Sequence, residues 1–152
     1  TPTSSSAASD VYKRQIFAYV SGLNGCGYCK NIHVEISKKI LRDKNDLDFM
    51  NDIEQSQIEA KYKPILKLSH KVNEDIRSIN EEDVAAILEY GFDEKVISEI
   101  ISICSAAQFM NTTVVAHQIK PLDQVQNVAS AKMMIEKGYD GLAEFMLRRR
   151  NK

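Results

Sequence analysis

Asn24–Ser37 reads NGCGYCKNIHVEIS, and the fold of the whole chain turns on how this stretch is read. Cys26, Cys29 and His33 stand three and four residues apart, the spacings that bring side chains onto one face of a helix. Asn24-Gly25 is a turn signal directly before Cys26, and Val34, Ile36 and Ile40 continue an apolar pattern after it. The pattern predicts a helix with both thiols in its first turn, Cys26 at the exposed start, and His33 one turn below Cys29. A helix N-terminus carries partial positive charge and free N–H groups, which favour a thiolate. A Cys-x-x-Cys pair there can close a disulfide with little backbone movement. His33 can take the proton of Cys29 or return one to a leaving group. The constellation reads as a dithiol redox centre with its own base.

Three other readings compete for the same residues. Two Cys and one His supply three ligands, whereas a closed structural zinc site takes four. His70, His117 and Cys104 add no paired spacing. Attachment of a c-type haem needs His directly after the second Cys, and Lys30 stands there. A pair of buried core cysteines is the third alternative.

The stretch AYVSGLNGCGYCKNIHVEI, residues 18–36, resembles the core motif of the alkylhydroperoxidase-D-like proteins in the carboxymuconolactone decarboxylase superfamily. The similarity is greatest to the branch called peroxidase-related enzymes. That motif is a helix, a Ser/Asn-Gly turn, and then Cys-x-x-Cys-x-x-x-His. PILKLSHKVN, INEEDVAAILEYGFDEKVISEIISICSAAQFMN and a helical tail follow the same plan, so the resemblance covers most of residues 16–150. It implies an all-α, single-domain helical bundle and thiol-dependent reduction of a small hydroperoxide. Cys29 would attack the O–O bond and become a sulfenic acid, and Cys26 would resolve it as a disulfide. The helix geometry supports that order, with Cys29 next to its base. A dithiol protein, thioredoxin-like or lipoyl, would return the electrons. No metal and no organic cofactor is implied, and a homo-oligomer is. Phe109, Met110 and Asn111 fall where the family often carries a Phe/Asn pair beside its pocket, so Phe109 and Asn111 are candidate lining residues. Tyr28 departs from members that place His between the two Cys, and a phenol of pKa about 10 relays protons poorly at neutral pH.

Thr1–Gln15, TPTSSSAASDVYKRQ, is unlike the rest of the chain, being low in complexity and then abruptly polar and basic. Ser5–Gln15 resembles the in-frame translation of a transposon sequencing adaptor. The expectation is a non-native, disordered tail over 1–15, with the helical domain spanning 16–152 and its natural start missing. The stretch has no apolar run of the kind a secretory signal requires. The family motif carries Glu twelve residues before the first Cys. Arg14 stands at that position, and a guanidinium cannot accept a proton in its place.

The chain has 152 residues, with 20 Lys and Arg against 21 Asp and Glu. That near-neutral balance gives no electrostatic case for nucleic acid or an anionic membrane. No apolar run approaches the roughly 18 residues of a membrane span. Three Cys without a secretory signal point to a reducing, cytoplasmic setting.

Ile16–Leu23 fits a buried strand or a helix by pattern alone, and the family plan assigns helix. Arg42–Asp48 reads as a loop, and the segment from Leu47 to about Lys61 as a weakly amphipathic helix. Helices are predicted over Tyr62–Ile76 with Pro64 in the first turn, and over Ser78–Tyr90 capped by Asn80 and stopped by Gly91. Asp93 is expected to cap the long periodic segment Glu94–His117, in which Cys104 reads as core. Val125–Lys137 ends at Gly138, and Leu142–Arg149 closes the chain. His70 and His117 read as ordinary surface or satisfied histidines. Two other functional classes remain open. One is a redox-sensing or assembly protein without efficient turnover. The other is a decarboxylase or isomerase on the same scaffold, a role whose members generally lack the Cys pair.

Overall fold

The described residues, 5–40 and 47–150 of the computed structural model, fold into six α-helices and three single 3-10 turns joined by loops, with no strand among them. The helices are α1 (Ser5–Leu23), α2 (Gly27–Ile40), α3 (Lys63–Glu74), α4 (Glu81–Leu88), α5 (Glu94–Ala116) and α6 (Gln124–Arg150). The expected all-α class is what is found.

The joint between α1 and α2 depends on Gly25. Its φ of 65° is left-handed, a conformation that costs a residue with a side chain roughly 1 kcal/mol or more. With Gly25 in place, its N–H reaches Gly22 O at 3.1 Å and the Cys26 N–H reaches Ser21 O at 2.9 Å. These paired bonds satisfy the last carbonyls of α1. Cys26 therefore closes one helix and opens the next.

Local chemistry sets the other starts. Pro64 occupies the first turn of α3. Asn80 and Asp83 form a reciprocal capping box on α4, and the Asp93 side chain accepts from Lys95 N at the head of α5. Gly138, at φ 66° and ψ −164°, interrupts α6 where the sequence predicted a stop.

α1 packs on α2, α3 and α5, while α2 also carries α6. Ile16, Val20, Ile65, Leu66, Leu68, Ile87 and Ile100 lie in the first of these cores with almost no exposure. Each such side chain stabilises the fold by roughly 1.5–3 kcal/mol. A smaller cluster of Ile32, Ile36, Ala131 and Met134 joins α2 to α6, and Gln124 Nε2 donates to Glu35 Oε1 across the same seam at 3.1 Å.

Two expectations differ from the structure. Residues 1–15 were expected to be disordered, but Ser5–Gln15 forms the first turns of α1. No Pro or Gly interrupts Ser4–Ser21, and extending an existing helix is far easier than nucleating one. Tyr12 then packs with Tyr62 and Phe92 and donates to a Glu99 carboxylate oxygen. The second difference is the segment from Leu47 to Lys61, which has only 3-10 turns at Asp48–Met50 and Ala60–Tyr62. Asp52 Oδ1 accepts from Glu54 N and Gln55 N, and Asp48 Oδ2 from Gln57 N. Those side chains compete with helical bonds for the backbone. The predicted loop over Arg42–Asp48 falls mostly on 41–46, outside the described residues. Among the described residues no helix is long and apolar enough to cross a membrane.

Candidate functional site

Cys26 sits immediately before α2 and acts as its N-cap. The Cys29 N–H, in the first turn, donates to Cys26 Sγ at 3.4 Å. The two sulfurs share a hydrogen bond of 2.7 Å, and both thiols are free. Cys26 was expected at an exposed helix start, yet only 1% of it is accessible. The bend at Gly25 folds it under the last turn of α1. The loop before α6 then closes over the next residue, where a Cβ on Gly27 would stand 2.9 Å from Pro121 Cγ.

Burial dominates the electrostatics. It pushes the Cys29 thiol up to about 12, the hydrogen bond with Cys26 adds to the rise, and the Asn111 carboxamide opposes it. Burial also raises the Tyr28 phenol, with the nearby cysteines contributing. His33 moves the other way, down to about 3, first through burial and then through the Arg14 cation. Its ring stacks on Phe17 at 4.0 Å between centroids, and Nδ1 has no partner among the described residues. The helical spacing does bring His33 to the same cavity as Cys29. What spacing could not show is the burial, which keeps the ring neutral and makes it a weak proton acceptor.

Cys29 borders a cavity of about 250 Å³ whose walls are almost wholly apolar, with Phe17 from α1, Tyr28, Ile32 and His33 from α2, Val114 from α5 and Met134 from α6. A chain of carboxamides joins the end of α1 to α3 and α5. Asn24 Nδ2 donates to Asn111 Oδ1 at 3.0 Å, Asn111 Nδ2 to Ser21 Oγ at 2.9 Å, and Asn73 Nδ2 to Asn24 Oδ1 at 2.9 Å. Asn24, Asn73, Gln108 and Asn111 also line an open cleft of about 570 Å³.

Among the candidate lining residues, Tyr28 borders the apolar cavity, and Asn111 is buried in the carboxamide chain. Phe109 points away, 70% exposed, while its neighbour Met110 takes the place in the cavity wall. Residues 109, 110 and 111 are about 100° apart around a helix, so adjacent positions cannot share one wall. Ser21, Asn24 and Asn73, which join Asn111 in the carboxamide chain, were not singled out by the sequence pattern. They come from three separate elements, and no short spacing links them. Cys104 is buried mid-α5, His117 is exposed at the end of α5, and His70 Nδ1 pairs with the Tyr19 hydroxyl at 3.1 Å. No group of three or more His, Cys, Asp or Glu among the described residues could hold a metal ion.

No family model matches the chain, and no curated protein does. Among solved structures it is similar to an alkylhydroperoxidase AhpD core, an uncharacterized peroxidase-related protein from Ralstonia eutropha JMP134. The identity is 21% and the TM-score 0.70, over 78% of this chain and 62% of that one. At that identity the likeness shows the fold, the all-helical AhpD core. The chain spans 62% of the length of that structure.

Proposed function

We propose that the chain is a thiol-dependent hydroperoxide reductase with Cys26 and Cys29 as its redox pair. One observation carries the reading: two free sulfurs 2.7 Å apart at a helix start, one of them in the wall of an apolar cavity of about 250 Å³. The AhpD-like fold supports it. Cys29 borders the cavity, so its sulfur is the one a substrate there would meet. The sulfur bonds to the distal peroxide oxygen, the O–O bond breaks, and the alcohol leaves with a proton. Cys26 then displaces the sulfenic oxygen of Cys29. An S–S bond forms and water leaves, so the dithiol has given two electrons to the peroxide. A dithiol protein, thioredoxin-like or lipoyl, would return them, and a homo-oligomer is part of the proposal.

A second reading has its own observation. A thiol pushed to about 12 and a His held near 3 make a slow nucleophile and a poor base. A redox sensor, whose disulfide need form only once per signal, tolerates both. The decarboxylase or isomerase class has no such support, because neither reaction uses a sulfur pair.

Single-turnover oxidation separates the readings. Pre-reduced protein is mixed with an alkyl hydroperoxide, and free thiols are counted with time. The peroxidase reading expects two of the three thiols to vanish as a Cys26–Cys29 bond, far faster than free cysteine reacts. Reaction no faster than free cysteine hands the lead to the sensor.

A further inference from the structure

We propose that Ile119–Pro121, the strap between α5 and α6, is a gate over the Cys26–Cys29 pair that a protein dithiol must displace in order to reduce it, whereas a small hydroperoxide passes without moving it. The proposal rests on the dithiol reading in taking the Cys26–Cys29 disulfide as the species to be reduced.

The two reactions need different access. A hydroperoxide meets Cys29 from the cavity, whose wall residues Met110, Ile119 and Tyr139 are themselves partly open to solvent. In the return step a thiolate of the partner bonds to one sulfur, the S–S bond breaks, and the freed sulfur takes a proton. The partner's second thiol then displaces the mixed disulfide, which releases the other cysteine and leaves the partner oxidised. A thiol carried on a folded protein does not fit inside a cavity of about 250 Å³. Cys26 and Cys29 are both buried, so one of their covers has to move.

The covers differ in how firmly they are held. At the end of α1, the N–H groups of Asn24, Gly25 and Cys26 bond to the carbonyls of Val20, Gly22 and Ser21, and the Asn24 side chain is tied to Asn73 and Asn111. The strap has less to hold it. Residues 117–121 are all exposed, and among the described residues no hydrogen bond ties Ile119, Lys120 or Pro121 to α2. The contact there is apolar. The Pro121 ring rests on the first turn of α2 at Gly27, where a Cβ would stand 2.9 Å from Pro121 Cγ. Both ends of the strap are defined. Gln118 leads out of α5 with a left-handed φ of 55°, a strained conformation for a residue with a side chain, and opening releases it. At the other end Asp123 Oδ1 accepts from Gln126 N at 2.8 Å, Asp123 N donates to Gln126 Oε1 at 3.3 Å, and Leu122 packs into the cluster between α2 and α6. Ile119, Lys120 and Pro121 are left to swing between those two anchors.

The test times reduction of the Cys26–Cys29 disulfide by two probes, reduced thioredoxin and dithiothreitol. Gly27→Ala sets a methyl group against the Pro121 ring and lifts the strap, while alanine suits the first turn of α2. Pro121→Ala removes the ring itself. Each variant should speed reduction by thioredoxin roughly fivefold. Dithiothreitol is small enough for the cavity, and its rate should stay within about twofold of the parent. The two changes combined should not multiply, because the added methyl then meets no ring. Equal thioredoxin rates in parent and variants, zero included, would overturn the proposal. So would equal acceleration of both probes, which marks an altered disulfide rather than an opened gate, or a double variant about 25-fold faster. Should Gly27→Ala fail to fold, Pro121→Ala decides by the two-probe comparison. The disulfide is formed with diamide, so a protein that ignores hydroperoxides loses the peroxidase reading and still tests the strap.

Discussion

Cys29 and Cys104 are both buried thiols on helices, and burial pushes both up, to about 12 and about 11. Their surroundings differ in everything else. Cys104 is fully enclosed between α5 and α3, and its one polar contact among the described residues is a long one, 3.9 Å to Ser69 O. Cys29 has a second sulfur at 2.7 Å and borders an apolar cavity of about 250 Å³. A depressed pKa therefore does not set the proposed redox thiol apart from Cys104. Partner geometry and a place for substrate do.

The largest effect expected from this contrast is on peroxide-driven thiol loss. Cys29→Ser should slow it at least about 100-fold, the scale of losing a nucleophile. Cys104→Ser should leave the rate within about twofold of the parent. Stopped-flow thiol counting reads both, and equal losses in the two variants would erase the distinction.

The next effect concerns pH. A thiol near 12 is almost all protonated at neutral pH, so its alkylation should climb about tenfold per pH unit from 8 to 11. A thiol with the reference pKa of about 8.5 would level off near pH 9 to 10. A plateau there for Cys29 would mean that burial has been overridden by its partners.

His33 gives the Cys29 side of the molecule an acid sensitivity of its own. The folded His33 titrates at about 3, against 6.5 for the reference group. Between those values the unfolded chain binds the extra proton. The stability is therefore fully present above pH 6.5 and drains as pH falls towards 3, by about 1.4 kcal/mol per unit. Urea unfolding at pH 4 and 7 should show a smaller difference for His33→Leu than for the parent. Arg14→Glu should act in the same direction, since Arg14 is part of what depresses the ring. Unchanged slopes in both variants would show that His33 is solvated.

Much of this was legible beforehand. The helix starts at Pro64, Asn80 and Asp93 and the break at Gly138 are local events, written in one or two residues each. The Cys26–Cys29–His33 alignment is a consequence of helical spacing. What escaped is long-range. Burial of Cys26 and His33 depends on how α1, α2 and the Pro121 loop pack. The link from Asn24 to Asn111 spans 87 positions, and neither residue has a neighbour in sequence that reveals the other. Phe109 was misplaced by reading three adjacent residues as one wall.

The smallest effect is the one that best separates a packing thiol from a working one. Cys104 has no exposure and a complete shell of neighbours from Ile100, Ala107 and the face of α3. Cutting it to Ala removes one sulfur and leaves a void that a helix interior cannot close, at a cost of about 1–2 kcal/mol. Cys29 already borders an opening of about 250 Å³, so the same cut merely enlarges existing space and removes less contact. Its cost should stay below about 1 kcal/mol. Urea midpoints of Cys104→Ala and Cys29→Ala, both fully reduced, measure the difference directly. The reverse order would move Cys29 into the core and Cys104 into question.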